Sequence, residues 1–197
     1  MKSKAFLRGT LLLMFLVPLL VIPVNSQQLV QPEKAIFNGS ARFVSEFYEP
    51  SLPQPQPQSP SDGDECSFVV SGKKMLGEWS GHGFWEDQNW HLGTLKAVFT
   101  INHGNVFKDP DPRNPDIFLL HGQADVFIDG DYFGAFLLFL TLYGEDKNKN
   151  GVCFYLFPPE SSQDTPPWYD PWANCYYWSS SGNGLLNGGI RTKVIEW

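Results

Sequence analysis

Short runs of apolar and aromatic residues, separated by turn-forming residues, recur through the last two thirds of the chain. Alternation of apolar and polar positions within several runs is typical of strands with one buried face. Residues 66–197 contain no apolar pattern of helical period with capping residues that is longer than two turns. The pattern predicts strands at Cys66–Val70, Met75–Phe84, Leu92–Ile101, Ile117–Phe127, Tyr132–Tyr143, Val152–Phe157, Cys175–Ser179 and Gly189–Ile195.

Turn residues between these runs predict how the strands connect. Asp129-Gly130 is the strongest signal for a two-residue hairpin in the chain, and Asn150-Gly151 closes a second polar turn. Residues 117–157 should therefore form a three-stranded antiparallel meander. For residues 65–197 as a whole, we predict an all-β fold, a single antiparallel barrel or sandwich of about eight strands.

The run Tyr132–Tyr143 lacks alternation, because consecutive apolar side chains point to both faces of the predicted strand. A strand covered on both faces explains this pattern. The alternative is an exposed apolar face that contacts a partner or lipid. We favour burial, because an exposed strand of this composition would aggregate.

The first 26 residues resemble a secretory signal peptide. Cations at Lys2, Lys4 and Arg8 precede an apolar run of about 14 residues, and small residues lead to a cleavage site after Ser26. This run is short for a membrane span of about 20 residues. We therefore predict a secreted, extracellular protein with no membrane span after cleavage. The alternative is an uncleaved signal anchor.

Residues 27–64 differ in composition from the rest of the mature chain. Alternating proline and glutamine dominate residues 50–60, which favours extended polyproline II structure without a core. A shorter apolar and aromatic patch at residues 35–48 precedes this repeat. We predict that residues 27–64 form a largely disordered spacer, and that the folded domain comprises residues 65–197.

Charge and composition narrow the function classes. Aromatic residues make up 15% of the chain and charged residues only 18%, with a formal net charge of −7. Removal of the three cations of the signal leaves 11 cationic against 21 acidic side chains, a net charge of −10. This balance argues against nucleic acid as a partner, because phosphate contacts need clustered lysine and arginine. It also disfavours anionic membranes and heparin-like polymers.

Secretion bears on two modifications, a disulfide among the three cysteines and a glycan at the single Asn-x-Ser/Thr sequence. An oxidising compartment favours one disulfide, and a Cys153–Cys175 bond would close a loop of about 20 residues. The alternative is Cys66–Cys175, with Cys153 buried as a small apolar residue. Asn38 begins the only Asn-x-Ser/Thr sequence, so we predict a glycoprotein with its glycan at Asn38.

The sequence gives only weak indications of a metal site or of an acid–base pair. Residues 146–151 match the first half of a calcium loop, but Phe157 stands where a bidentate glutamate belongs. The four histidines have no local metal-ligand spacing. His121, Gln123 and Asp125 share one face of a predicted strand, either as an acid–base pair or as the wet face of that strand. We predict no metal, no cofactor and no catalytic residues.

Gly77-Glu78-Trp79 resembles the Gly-x-Trp sequence that opens the first strand in lipocalin-like calycin barrels. The resemblance implies a tryptophan across the closed end of a barrel, with a small apolar ligand inside. The arginine that accompanies this tryptophan in the family would be Arg191.

Aromatic residues held by prolines form the most unusual feature of the sequence. Trp168, Tyr169 and Trp172 lie in a proline-rich excursion, where they could stack on sugar rings or pack down as a lid. We favour a secreted, non-enzymatic binding or structural protein whose partner is an extracellular glycan or protein. The alternatives are a calycin-like carrier of a small apolar ligand and, with His121 and Asp125 in a cleft, a secreted hydrolase.

Overall fold

Ten β-strands form the regular structure of the chain in this computed structural model, which describes residues 29–45, 63–108, 116–144, 150–159, 175–181, 185 and 187–196. None of these residues forms a helix. The strands are β1 (Leu29–Val30), β2 (Lys34–Val44), β3 (Glu65–Met75), β4 (Glu78–Asp87), β5 (Leu95–Phe107), β6 (Ile117–Ile128), β7 (Asp131–Tyr143), β8 (Gly151–Phe157), β9 (Tyr177–Ser180) and β10 (Asn187–Glu196). No helix that could cross a membrane occurs among the described residues.

All strand pairs are antiparallel and belong to one curled sheet, which confirms the predicted all-β fold. The order across the sheet is β10-β2-β3-β4-β5-β6-β7-β8-β9, and β1 pairs separately with β5. Curling brings distant strands together across the inside of this half-barrel. The ring of Trp85 on β4 stacks on that of Phe154 on β8, with centroids 4.3 Å apart. At the open side, the Thr192 amide of β10 donates to the Gly144 carbonyl, at 3.0 Å.

The predicted meander of residues 117–157 is present as β6, β7 and β8. Asp129 and Gly130 form its first turn with φ angles of 52° and 92°, as a two-residue hairpin turn requires. On β7, alternate residues from Phe136 to Leu142 are buried inside the sheet. The intervening Leu137 and Phe139 pack on the outside against a small cluster formed by Phe157, Cys175 and Trp178. The missing alternation thus reflects apolar packing on both faces.

The prediction that the folded domain begins at residue 65 is wrong, because part of the preceding segment belongs to the sheet. Strand β2 lies inside the sheet between β3 and β10, and its Phe37 and Phe43 are fully buried. Small residues occupy the other inward positions of β2, so the apolar period of this segment is weak in the sequence. The Pro-Gln repeat at residues 50–60 lies outside the described residues, as does the predicted signal peptide.

Residues before β2 also contact the domain. Leu29 and Val30 pair with Phe107 and Val106 at the end of β5. The buried Lys74 on β3 donates a hydrogen bond from Nζ to Gln31 Oε1, at 2.7 Å. Leu29, Val30 and Gln31 therefore contact the same sheet that contains β2.

Large side chains fill the inside of the curled sheet. The backbone approaches these rings closely, and a Cβ atom at Gly72 would lie 2.2 Å from the Phe37 ring and 2.6 Å from the Ser80 carbonyl oxygen. Only glycine fits at this position. The largest fully buried side chains are Trp85, Tyr177, Phe37, Phe43, Phe68, Phe99, Phe118, Phe154, Leu95, Leu120, Leu138 and Leu140.

Candidate functional site

Aromatic rings gather at the end of the sheet where β4, β6 and β8 finish. The proposed contact residues Trp168, Tyr169 and Trp172 lie outside the described residues. The structure does describe Tyr176, which follows their segment closely. Around it lies an aromatic rim, which we define as Trp90, Phe133, Phe136 and Tyr176.

Ring contacts hold the rim together. Phe133 stacks on Tyr176 with centroids 5.4 Å apart, and Phe136 lies 5.0 Å from the same ring. Trp90, which is buried in the β4–β5 connection, meets Tyr176 edge-on at 5.7 Å. Partial burial raises the pKa of the Tyr176 phenol above its ordinary value. Three separate parts of the chain therefore meet in one cluster.

The β6–β7 hairpin presents Phe133 of the rim to solvent, together with Tyr132, whose ring contacts Phe127 of β6. Tyr132 is 61% exposed and Phe133 is 48% exposed, although both are large aromatic residues. Their position follows from the tight turn at Asp129 and Gly130, which places the first residues of β7 at one end of the sheet, beyond the residues that pair with β8. Contiguous exposed apolar surface is a common feature of binding sites.

Polar groups flank the rim on the neighbouring β4–β5 connection. The side chains of Gln88, Asn89 and His91 are exposed there. The Asp129 carboxyl group accepts a hydrogen bond from the Thr94 amide at 2.8 Å, which joins this connection to the β6–β7 turn. Hydrogen-bonding side chains and exposed rings thus occupy the same end of the molecule.

A buried hydrogen-bond network supports the rim from inside. The hydroxyl of Tyr177 accepts from Trp85 Nε1 at 3.1 Å and donates to Asp87 Oδ2 at 2.9 Å. All three side chains are completely buried. The Tyr177 ring also contacts Trp90 of the rim, with centroids 5.8 Å apart. The rim is thereby connected to a rigid polar core.

A second set of buried polar contacts joins the two ends of the sheet. Ser179 on β9 donates its hydroxyl proton to Ser45, which follows β2, at 2.9 Å. The thiol of Cys66 on β3 lies 3.4 Å from the same Ser179 hydroxyl oxygen. These contacts help to explain why the sheet curls, since they require β9 to lie over the ends of β2 and β3.

The predicted disulfide is absent, because neither Cys153–Cys175 nor Cys66–Cys175 is bonded. Cys153 on β8 pairs with Ser180, whereas Cys175 precedes the other end of β9. Cys175 is five residue steps from Ser180, roughly 16 Å of extended chain, whereas bonded cysteines need Cα atoms within about 7 Å. The Cys175 thiol instead donates to the backbone carbonyl oxygens of Tyr177 and Leu156, at 3.1 Å and 3.6 Å.

The strand face with His121, Gln123 and Asp125 is the outer face of β6. Residues on the opposite face, including Leu120 and Ala124, are buried inside the sheet. His121 and Asp125 are four residues apart along the strand, which separates them by roughly 13 Å. This arrangement agrees with the wet face of an amphipathic strand and not with an acid–base pair.

The tryptophan of the Gly-x-Trp resemblance lies on β4, the fourth strand, and not on the first. Trp79 is buried against Phe37 and Phe118, with the Lys74 ammonium 5.6 Å from its ring centroid. Arg191 does not accompany it, because that side chain is exposed on the outer face of β10. The expectation that Arg191 accompanies Trp79 is therefore wrong, and the likeness is limited to a tryptophan near one end of the sheet.

Asn38 lies on the outer face of β2, between Ser71 of β3 and Arg191 of β10, and its side chain is exposed. Its position leaves the amide open to solvent, although it lies in the middle of a strand. Glycosylation at Asn38 stays a prediction.

Comparisons of the chain with protein-family models, with curated proteins and with solved structures found no match. Within the described residues, no group of three or more His, Cys, Asp or Glu side chains is placed to hold a metal ion. The aromatic rim is consequently the feature of the described structure from which a function can best be argued.

Proposed function

We propose that this protein is a secreted, non-enzymatic binding protein that contacts extracellular carbohydrate through its aromatic rim and the adjoining segment with Trp168, Tyr169 and Trp172. The observation that carries this proposal is the pair Tyr132 and Phe133, two large rings that remain about half exposed or more at a tight hairpin. Secretion rests on the signal-like sequence of residues 1–26.

The chemistry of the rim suits a sugar. The C–H face of a pyranose ring is apolar and flat, so it stacks on aromatic faces, while the hydroxyl groups need hydrogen-bond partners. The exposed Gln88, Asn89 and His91 provide such partners beside the rings. Because Phe133 already stacks on Tyr176, these rings lose little conformational freedom when a ligand binds.

Packing inside the sheet favours a surface site over an internal one. A carrier of a small apolar ligand needs a cavity, whereas Trp85 and Phe154 are stacked across the interior at 4.3 Å. The separation of His121 from Asp125 gives a hydrolase no support. Binding at the rim is therefore the better proposal of the three.

A glycan array followed by calorimetric titration with the best oligosaccharide tests this proposal. We expect Phe133→Ala and Tyr132→Ala to weaken binding at least tenfold, or about 1.4 kcal/mol. Val98→Ala is the matched control, since Val98 is 53% exposed on the outer face of β5, away from the rim. Failure of every glycan to bind, or equal binding by the Tyr132 and Phe133 variants and the wild type, would contradict the proposal.

A further inference from the structure

Pairing of β5 with β6 brings two histidines together that are 18 residues apart in the chain. His103 lies directly opposite His121 in the register of these strands. Directly opposed residues of an antiparallel pair have Cβ atoms about 4.5–5.5 Å apart. Both imidazole rings can therefore reach one common point above the sheet.

An irregularity in β5 places His103 on the same face as His121. Ile101 points into the core, Asn102 is exposed, and strict alternation would send His103 inward. The register shifts between Ile101 and His103, so that His103 is also exposed and Gly104 takes the next buried position. Bulges of this kind often re-aim a side chain at a functional position.

Neighbouring groups orient both rings. The Asn102 side-chain oxygen can only accept, so His103 Nδ1 carries the proton in their 2.9 Å hydrogen bond. The neutral His103 ring then has its lone pair on Nε2. The His121 ring packs against Phe139 of β7, with centroids 4.4 Å apart. Histidines that ligate metals are oriented by just such a hydrogen bond to the second ring nitrogen.

We propose that His103 and His121 form a binding site for a divalent transition-metal ion of the class that prefers imidazole ligands. Two protein ligands leave the remaining coordination positions to water or to an external ligand. Copper(II) binds nitrogen sites more tightly than zinc(II), so Cu²⁺ should bind better than Zn²⁺. Calcium and magnesium prefer oxygen ligands and should not compete.

An uncharged surface surrounds the pair, so no flanking cation repels a bound metal ion. The flanking residues on this face are Leu119 and Gln123 on β6, Asn105 on β5 and Thr141 on β7, and none of these four carries a charge.

Calorimetric titration of the mature chain with Cu²⁺ and then Zn²⁺ tests this site. We expect one Cu²⁺ site per chain, which the double variant His103→Ala/His121→Ala weakens at least tenfold. The control double variant His82→Ala/His91→Ala removes the same number of imidazoles from other positions and should bind as the wild type does. Electron paramagnetic resonance should show nitrogen coupling to Cu²⁺ in the wild type and the control, and its loss in the His103/His121 variant.

Because both histidines lie on the outer face, their variants should fold, and far-UV circular dichroism checks this. If the alanine variant is unfolded, His103→Gln/His121→Gln replaces it in the same titration. The proposal is overturned if the wild type has no Cu²⁺ site, if the His103/His121 variant binds equally well, or if both double variants weaken binding alike. None of these outcomes depends on carbohydrate binding at the rim.

Discussion

Replacing Tyr177 with phenylalanine removes one hydroxyl group from the centre of the buried network and leaves the ring in place. The hydroxyl accepts from Trp85 Nε1 and donates to Asp87 Oδ2, and solvent reaches none of the three side chains. The substitution leaves an indole N–H and a carboxyl oxygen without these partners. Each stranded group costs about 1–3 kcal/mol. We expect a total loss of about 2–6 kcal/mol, a large part of the 5–15 kcal/mol that stabilises a typical domain.

Equilibrium unfolding in urea, followed by tryptophan fluorescence, measures this loss. Tyr132→Phe is the matched control, because it makes the same chemical change on a ring that is 61% exposed. Its stability should stay within about 0.5 kcal/mol of the wild type. Combining Tyr177→Phe with Asp87→Asn should cost less than the sum of the single losses, since both variants disrupt the same hydrogen bond.

A loss below about 1 kcal/mol in Tyr177→Phe would refute this reasoning. It would mean that Trp85 and Asp87 find other partners when the hydroxyl is absent. Full additivity with Asp87→Asn would refute it independently, because the two side chains would then not be coupled.

The same substitution should change how stability depends on pH. Burial raises the pKa of Tyr177 well above its ordinary value, and the neighbouring Cys66 and Asp87 raise it further. A raised pKa in the folded state means that stability is intact below the unfolded pKa of about 10 and declines as pH rises above it. One such group contributes up to about 1.4 kcal/mol per pH unit. The wild type should therefore lose stability more steeply above pH 10 than Tyr177→Phe, and parallel curves would contradict this assignment.

Two further predictions concern the N-terminal segment and the cysteines. A chain that begins at Asp64 lacks β2 and should not fold, because β10 loses the strand with which it pairs and β3 loses one of its two neighbours; a native-like near-UV circular dichroism spectrum would contradict this. Alkylation in denaturant without reductant should label three thiols per chain by mass spectrometry. In the native state Cys153 and Cys175 should react slowly, because burial raises the pKa of both thiols, that of Cys175 to about 12; a disulfide-linked peptide would refute the bonding pattern described above.

Elements with strong local signals could be predicted from the sequence. The β6–β7 hairpin follows from two apolar runs and a turn whose residues tolerate positive φ angles. Strand β2 could not be predicted in the same way, although it alternates. Its inward residues include Ala35, Gly39 and Ala41, and a Cβ atom at Gly39 would lie 3.1 Å from the Phe68 and Ile190 side chains. Packing against large neighbours requires small residues there, and that requirement is invisible before the neighbours are known.

Relations between distant residues depend on register, which the sequence does not state. Cys153 and Cys175 looked close because their strands are adjacent, yet antiparallel pairing places them at opposite ends of those strands. His103 and His121 looked unrelated, yet a one-residue bulge in β5 places them opposite each other. In both cases the decisive quantity is a shift of one or a few residues along a strand. Local patterns predict strands well and predict the contacts between them poorly.

The buried network and the proposed binding surface are physically linked through Trp90. Its ring contacts Tyr177 below and Tyr176 above, at 5.8 Å and 5.7 Å, and Tyr176 stacks on the exposed Phe133. Rings that are fixed before a ligand arrives lose less entropy on binding, so a polar core that holds Trp90 in place would also favour affinity at the rim. The buried Asp87 would then contribute to ligand affinity as well as to the stability of the fold. A variant such as Tyr177→Phe should consequently weaken glycan binding even under conditions where the chain remains folded.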